Sequence, residues 1–436
     1  MRKKLNDNLN SIENDTMEFL NEIAENYPSA ISLASGRPDS RFFDLKKIDF
    51  YINTYLNFIS ETQKKPYEAL LSNLGQYSDA SGIINEIITK YLSVEYGLEI
   101  SPENILINIG TQESLLISVL TLCNKEEDVI IVEDPCYVGI KNYALIAGYE
   151  VSGVKLYTDG MCLDSLEKKI INYKEKGKHT KIVYIVSDFQ NPSGIRMSVE
   201  KRKQIIELSE KYDFFILEDN AYGDFCFADE IFPTLKKLDK YNRVIYLHTF
   251  SKLIYPSVRI GVMVADYKFD DGRSLSNQLK KVKGYTTVNT SSINQAIIAG
   301  ILIENSFSLK QYNKEKLENL KEKKNLTLDA LQKYFRSNSE EWCGNVQWND
   351  PEGGFFMVID LPFKVTREDV IICAEVFGVI FTPMSFFQLD EINEKNIRIA
   401  YSNIKEDKII TAVERLYNFL KNKHENGKKE CRIGTS

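Results

Sequence analysis

Lys252 follows the apolar run VIYL (244–247) and sits inside HTFSKLIYPSVRIGVMVA (248–265). Hydroxyls flank it at Thr249 and Ser251, and Arg259 follows closely. A lysine amine must lose its proton before it attacks an aldehyde, and burial near other cations lowers its pKa. A lysine at the carboxyl end of a strand, with hydroxyls beside it and an arginine behind, therefore suits a Schiff-base site. Arg259 could clamp a phosphate bidentately while Thr249 and Ser251 donate to it. A solvated lysine and a surface arginine are the plainer alternative for any single Lys/Arg pair.

Other segments carry partners for that chemistry. In ILEDNAYGDF (216–225), Asp219 ends an apolar strand and Tyr222 follows three residues later. A carboxylate there can keep a pyridine nitrogen protonated, which makes the ring an electron sink. Tyr222 can hydrogen-bond a ring phenolate. A capping aspartate and a packed tyrosine would look the same. In SDFQNPSGIRMS (187–198) the Asn-Pro-Ser-Gly run is a turn by itself, and Asn191 could aim its amide at the same ring oxygen. In INIGTQES (107–114) a strand, a glycine and a helix start leave backbone N–H groups free. Gly110, Thr111 and Gln112 would cup a phosphate there, whether or not Thr111 also caps the helix. Tyr137, in VEDPCYVG (132–139), could stack on a flat ring or simply pack. Arg398 lies inside the apolar strand NIRIAYSN (396–403). A buried arginine needs an anion, and either a structural acid or a substrate carboxylate would serve.

Those residues need a scaffold that brings strand ends together. From about residue 75, short β-branched runs alternate with helical stretches. The strands are expected at 105–109, 128–133, 181–186, 214–218 and 244–247, with helices such as 83–96, 111–122 and 199–212 between them. Apolar strands alternating with helices predict an α/β fold with a mostly parallel sheet covered on both faces. Ligands then bind at the carboxyl ends of the strands. A charged stretch at 310–335 reads as a long connecting helix, followed by an α+β region with strands at 355–361 and 396–401 and helices at 368–377 and 407–421. At the other end, a polar arm leads into an amphipathic helix with Ile12, Met17, Leu20, Ile23 and Ala24 on one face, broken at Pro28. The polar run closing the chain predicts a disordered tail over 425–436.

Composition narrows the functions. The 436 residues are too many for one ordinary core and fit two lobes. A net charge of -7 leaves no basic excess for a nucleic acid. Seven cysteines contain no CxxC pair, so zinc or any other metal is not expected, and the odd count suits reduced thiols in a cytosol. Only three histidines, His179, His248 and His424, are present. The first residues show no apolar signal segment, and no apolar run is long enough to cross a bilayer. No internal repeat, GxGxxG or Walker motif occurs.

Taken together, GTQ, EDPCY, QNPSG, EDNAY, TFSK, the following arginine and NIRIAYSN resemble, in order and spacing, the class I/II aminotransferases of pyridoxal-phosphate (PLP) fold type I. ISLASGRPDSRFFD, LGQYSDASG, PEGGFFMVIDLP and SFFQLDE look like the subgroup holding 2-aminoadipate and kynurenine aminotransferases and the effector domains of MocR-type regulators. The resemblance covers about residues 30–420. It implies a seven-stranded sheet in a large domain (75–324) and a smaller α+β domain (31–74 with 325–424), after an N-terminal arm and helix (1–30). It also implies that Lys252 forms the internal aldimine and shuttles a proton, Asp219 pairs with the pyridine nitrogen, and Tyr222 and Asn191 bind the phenolic oxygen. Gly110, Thr111, Gln112, Thr249, Ser251 and Arg259 would hold the phosphate, and Tyr137 would stack on the ring. Arg398, with Gly36 and Asn191, would bind the substrate carboxylate. Tyr77 and the 290–291 region would reach the phosphate of a second subunit, so a homodimer with shared sites is implied.

The expected activity is transfer of an amino group from an α-amino acid to a 2-oxo acid. A lyase, cyclase or oxidase using the same cofactor shares these motifs. A regulator would need a DNA-binding domain before the module, where only about 30 residues stand. Three departures from the family pattern are Ser257 where glycine is usual, Asp188 where a neutral residue is usual, and Cys136 beside Tyr137. Asp188 is either a solvated loop residue or a sign of a cationic substrate.

Overall fold

The computed structural model describes residues 6–12, 16–228, 230–337, 340–390 and 392–433. Ile31–Ser32 (β1) comes first, and the main sheet then takes its strands from Ile105–Asn108 (β2), Asp128–Asp134 (β3), Glu150–Tyr157 (β4), Gly160–Met161 (β5), His179–Ile185 (β6), Phe215–Asn220 (β7), Val244–Thr249 (β8) and Gly261–Val264 (β9). Their order across the sheet is β2-β9-β8-β7-β6-β3-β4-β5. The sheet thus has eight strands rather than seven. The extra one, β5, is two residues long and folds back antiparallel onto β4. Strands β4, β3, β6, β7 and β8 pair parallel in sequence across the sheet. Every residue of β2, β7, β8 and β9 is buried, as expected of strands with helices on both faces.

Strand β9 was not anticipated, and it matters most for the site. It runs antiparallel to both β2 and β8, so its first residue, Gly261, lies opposite Asn108 and Thr249, the last residues of those strands. Whatever precedes β9 is delivered to the carboxyl edge of the sheet. Arg259 precedes it, in a left-handed conformation with φ 47° that turns the chain into the strand.

A second, antiparallel sheet is built from Gln347–Trp348 (β10), Phe356–Asp360 (β11), Thr382–Pro383 (β13) and Asn396–Ala400 (β14), in the order β10-β11-β14-β13. The strand Val379–Ile380 (β12) pairs parallel with β1 instead. The segment 31–74, expected with this smaller domain, divides. Its β1 joins β12, whereas the helix Ile48–Gln63 packs on the buried helix Ser292–Glu304, among residues assigned to the large domain.

Several expectations change in detail. The predicted disordered tail is helical: one helix runs Glu406–Ile433, and residues 434–436 lie outside those described. The run rich in Lys and Glu has high helix propensity and extends an anchored helix, so polarity alone misread it. The first α-helix is Thr16–Asn26; among its described side chains Thr16, Phe19 and Ile23 are buried, while Ala24 is exposed. The side chains of Ile12 and Met17 lie outside those described. The long connecting helix is Lys314–Arg336. Among the described residues, no helix is long and apolar enough to cross a membrane, and no cluster could hold a metal ion.

The crossing of Ile48–Gln63 on Ser292–Glu304 is set by Gly300. A Cβ there would stand 1.9 Å from the carbonyl oxygen of Tyr51. Gly300→Ala is therefore expected to push the helices apart and destabilise the fold by about 1–3 kcal/mol, despite alanine's better helix propensity. Thermal unfolding checks this; an equal or higher Tm contradicts it.

Candidate active site

One cavity of about 450 Å³ opens at the carboxyl edge of the main sheet. Residues at or just after the ends of β2, β3, β6, β7 and β8 line it. Among the expected site residues, Gly110, Tyr77 and the 290–291 region do not line it.

Lys252 sits in the short helix Phe250–Leu253, immediately after β8. Thr249 caps that helix, its hydroxyl accepting from the backbone N–H of Ser251. The amine donates to the carbonyl of Gly36 at 3.2 Å. Burial, and then the charge of Arg259, lowers the Lys252 pKa to about 8; Arg37 and Arg398 act in the same direction, and Asp219 opposes them. The amine is thus partly free at neutral pH.

Asp219, the penultimate residue of β7, accepts a hydrogen bond from the Tyr184 hydroxyl at 2.8 Å through Oδ2. Its Oδ1 is buried with no partner. Burial raises its pKa to about 6, against the pull of Tyr184 and Lys252. A cation placed at Oδ1 would bring that pKa down and satisfy the orphaned oxygen. Tyr222 is buried in the same wall, edge-on to Phe355 and Phe356, and burial raises its phenol.

At one end the chain forms an anion cup. The helix Gly110–Leu122 begins there, and its first N–H groups have no partners within the helix. The hydroxyl of Thr111 is buried and unpartnered. The Arg259 guanidinium donates to the Ser251 hydroxyl at 3.1 Å and to the carbonyl of Ile109 at 3.2 Å. Gly110 has φ 67°, and a Cβ there would stand 2.3 Å from the Arg259 guanidinium. Its contribution is therefore the room it leaves for Arg259. The side-chain amide of Gln112 is already committed, donating to the carbonyl of Gly139 at 3.1 Å. This leaves Gln112 its backbone N–H for an anion.

Arg398, on β14, reaches the cavity from the other sheet. Its guanidinium donates to Asn191 Oδ1 at 2.9 Å and to the carbonyl of Ala34 at 2.7 Å, while its Nε has no partner. The rings of Phe356 and Phe387 lie 4.4 Å and 4.6 Å from it. Burial lowers its pKa to about 10. The structural acid that a buried arginine ordinarily takes is missing among its described partners. Gly36 lies against Phe356, where a Cβ would come within 2.5 Å of the ring.

Other expectations resolve differently. Tyr77 is 85 % exposed on the surface of this chain. Thr290 is buried and its hydroxyl donates to the carbonyl of Ile107, whereas Ser291 is exposed and caps the helix Ser292–Glu304 by accepting from the backbone N–H of Asn294. Asp188 is neither solvated nor facing a ligand. It is buried and pairs with Arg202 at 2.7 Å and Arg196 at 3.0 Å. Cys136 is a buried thiol pushed up to about 12 by burial. Several lining residues were not expected from the sequence, among them Tyr184, hidden as one apolar-looking member of β6, Asn21 on the first helix, and Arg37.

A lysine, a carboxylate and an anion cup delivered by parallel strands define an enzyme of PLP fold type I architecture. The model of the family "Aminotransferase class I and II" matches residues 46–416, and the chain belongs to that family. It is 35% identical to (S)-3,5-dihydroxyphenylglycine transaminase of Amycolatopsis orientalis over 92% of this chain and 90% of that protein. The multiple substrate aminotransferase of Thermococcus profundus superposes with a TM-score of 0.82 at 28% identity, over 97% of this chain and 98% of that one. The kynurenine aminotransferase of Pyrococcus horikoshii, solved with PMP, superposes with a TM-score of 0.81 at 28% identity, over 96% of this chain and 97% of that one.

Lys252 is expected to titrate near 8. In cofactor-free protein its acylation by an amine-selective reagent, followed by peptide mass analysis, should rise with pH through about 8 and then level. A rate that keeps climbing towards 10.5, as at an ordinary lysine, contradicts this.

Proposed function

We propose that the protein is a PLP-dependent aminotransferase, holding its cofactor covalently through Lys252 and moving an amino group from an α-amino acid to a 2-oxo acid. The observation that carries this is the set of orphaned polar atoms around one amine: Asp219 Oδ1, Thr111 Oγ1 and Arg398 Nε, all buried and unpartnered in the cavity that holds Lys252. A protonated pyridine ring, a phosphate and a substrate carboxylate would satisfy them in that order.

When bound, the cofactor supplies an electron sink for the electrons of a broken Cα bond. Everything else falls to the chain. Asp219 keeps the ring nitrogen protonated. Tyr222 and Asn191 hydrogen-bond the ring's phenolic oxygen, and Tyr137 covers its face. The first N–H groups of the helix Gly110–Leu122, with Thr111, Thr249, Ser251 and Arg259, hold the phosphate. Arg398 grips the substrate α-carboxylate and thereby turns the Cα–H bond towards Lys252. With its amine free, Lys252 would take the proton from the substrate Cα as general base and then serve as the general acid that gives a proton back.

The second subunit of a homodimer is proposed to bring Tyr77 to the phosphate. The exposed residues Tyr285 and Val288 support this face as the contact, because Asn289 bonds to Ser78 and Lys280 to Asp79, which ties them to the Tyr77 loop. The described cysteines are free thiols, which suits the cytosol.

The test is a panel of amino acids added singly to the purified, cofactor-loaded protein. An active donor should convert the bound cofactor to its amine form and release one equivalent of 2-oxo acid. Lys252→Ala should slow that conversion by about a hundredfold or more. Ammonia or a cyclised product in place of the amine form would instead support a lyase, oxidase or cyclase. Full activity in Lys252→Ala would contradict the reading altogether.

A further inference from the structure

The helix that begins the anion cup, Gly110–Leu122, carries a buried acid in its first turn, Glu113. Its Oε2 accepts from the backbone N–H of Ile109, the residue just before the helix. Arg259 donates to the carbonyl of that same residue at 3.2 Å. Ile109 is thus held between a carboxylate and a guanidinium, and the helix starts from that fixed point. A carboxylate near a helix N-terminus steadies the helix, but it opposes any anion bound there. A phosphate monoester, largely dianionic at neutral pH, would feel that opposition strongly.

Lys283, on the helix Leu275–Thr286, supplies the cancelling charge and is fully buried. Its amine donates to both oxygens of Glu113 at 2.9 Å and to the Thr290 hydroxyl at 3.0 Å. Thr287 donates to Oε1 of Glu113, and Thr290 donates onward to the carbonyl of Ile107 in β2. The network therefore ties together the end of β2, the first turn of the helix after it and the chain beyond residue 283. Neither Glu113 nor Lys283 lines the cavity. They act on it only through Ile109 and through charge.

We propose that Glu113 and Lys283 are a positioning pair for the phosphate cup. The carboxylate fixes the peptide before Gly110, and the ammonium cancels the negative charge that would otherwise oppose the incoming phosphate. This rests on the reading that the cup takes the phosphate of PLP. The two parts differ in sign. Lys283→Met leaves an uncancelled carboxylate in the first turn and weakens phosphate binding. Glu113→Gln removes that charge, keeps an oxygen for the N–H of Ile109, and holds or tightens phosphate binding. Exchanging both gives a neutral pair, which restores most of what Lys283→Met loses.

The test compares PLP with pyridoxal, which lacks the phosphate. Their dissociation constants are measured by absorbance titration of cofactor-free parent, both single variants and the double variant. A mildly alkaline pH keeps the lone carboxylate of Lys283→Met ionised, and thermal unfolding reports whether each protein is folded. The preference for PLP over pyridoxal should fall about tenfold or more in Lys283→Met and return to within about threefold of the parent in the double variant. The affinity for pyridoxal itself should stay nearly constant throughout. A parent-like preference in Lys283→Met overturns the proposal. So does a double variant weaker than either single one, the pattern of lost packing. Should Lys283→Met fail to fold, Glu113→Gln and the double variant carry the test: both must keep the preference for PLP, and a tenfold fall in either overturns the proposal. A parent protein that binds PLP no better than pyridoxal counts instead against the cup as the phosphate site, and so against the reading on which the pair was placed.

Discussion

The structure is organised around the cost of keeping one lysine amine near neutral. An ε-ammonium in water holds its proton to 10.5, and Lys252 is brought to about 8 by burial and by the guanidinium groups of Arg259, Arg37 and Arg398. Among the described residues, none of these guanidinium groups is paired with an acid, so their charge is not cancelled locally. Elsewhere several buried cations are paired with acids, although Lys316 is held by the carbonyl of Leu253. Lys283 is buried against Glu113, Arg202 against Asp188, and Lys323 against Asp39. In the cavity Arg259 is held instead by a serine hydroxyl and a carbonyl, and Arg398 by an asparagine and a carbonyl. Neutral acceptors fix a guanidinium in place without cancelling its charge, which leaves it available to a ligand.

The fold supplies this arrangement through strand direction. Parallel strands end on the same edge, so the residues after β2, β3, β6, β7 and β8 meet without long loops. An arginine that must face the helix start at Gly110 could not come from the far end of another parallel strand. The reversal of β9 solves this by bringing the beginning of a strand to the edge where the others finish. The two glycines at that junction are explained by the same closeness. A Cβ on Gly261 would stand 2.7 Å from the carbonyl carbon of Gly110, and one on Gly110 would strike Arg259.

How far the sequence could be read depended on whether a feature was local. Lys252, Asp219, Thr111 and Asn191 each follow an apolar run by a few residues, and that spacing alone put them at strand ends, where the structure has them. Arg398 was visible as a charge interrupting an apolar strand. Features set by distant pairing were not visible. Asp188 looked like a loop residue because its partners, Arg196 and Arg202, are reached only after a turn and the start of a helix. Tyr184 reads as packing until its hydroxyl is seen on Asp219. Thr290 looked available, but Ile107 and Lys283 use its hydroxyl. The direction of β9 and the packing of Ile48–Gln63 on Ser292–Glu304 depend on contacts across many residues and leave no local mark.

The most direct measurement is chemical trapping at position 252. The purified protein is incubated with pyridoxal phosphate, reduced with borohydride and digested, and the peptides are weighed. The account requires one phosphopyridoxyl group per chain, carried by the peptide that contains Lys252 and absent from the Lys252→Ala protein. An unmodified Lys252 peptide, or label spread evenly over surface lysines, would show that this amine is not the reacting group.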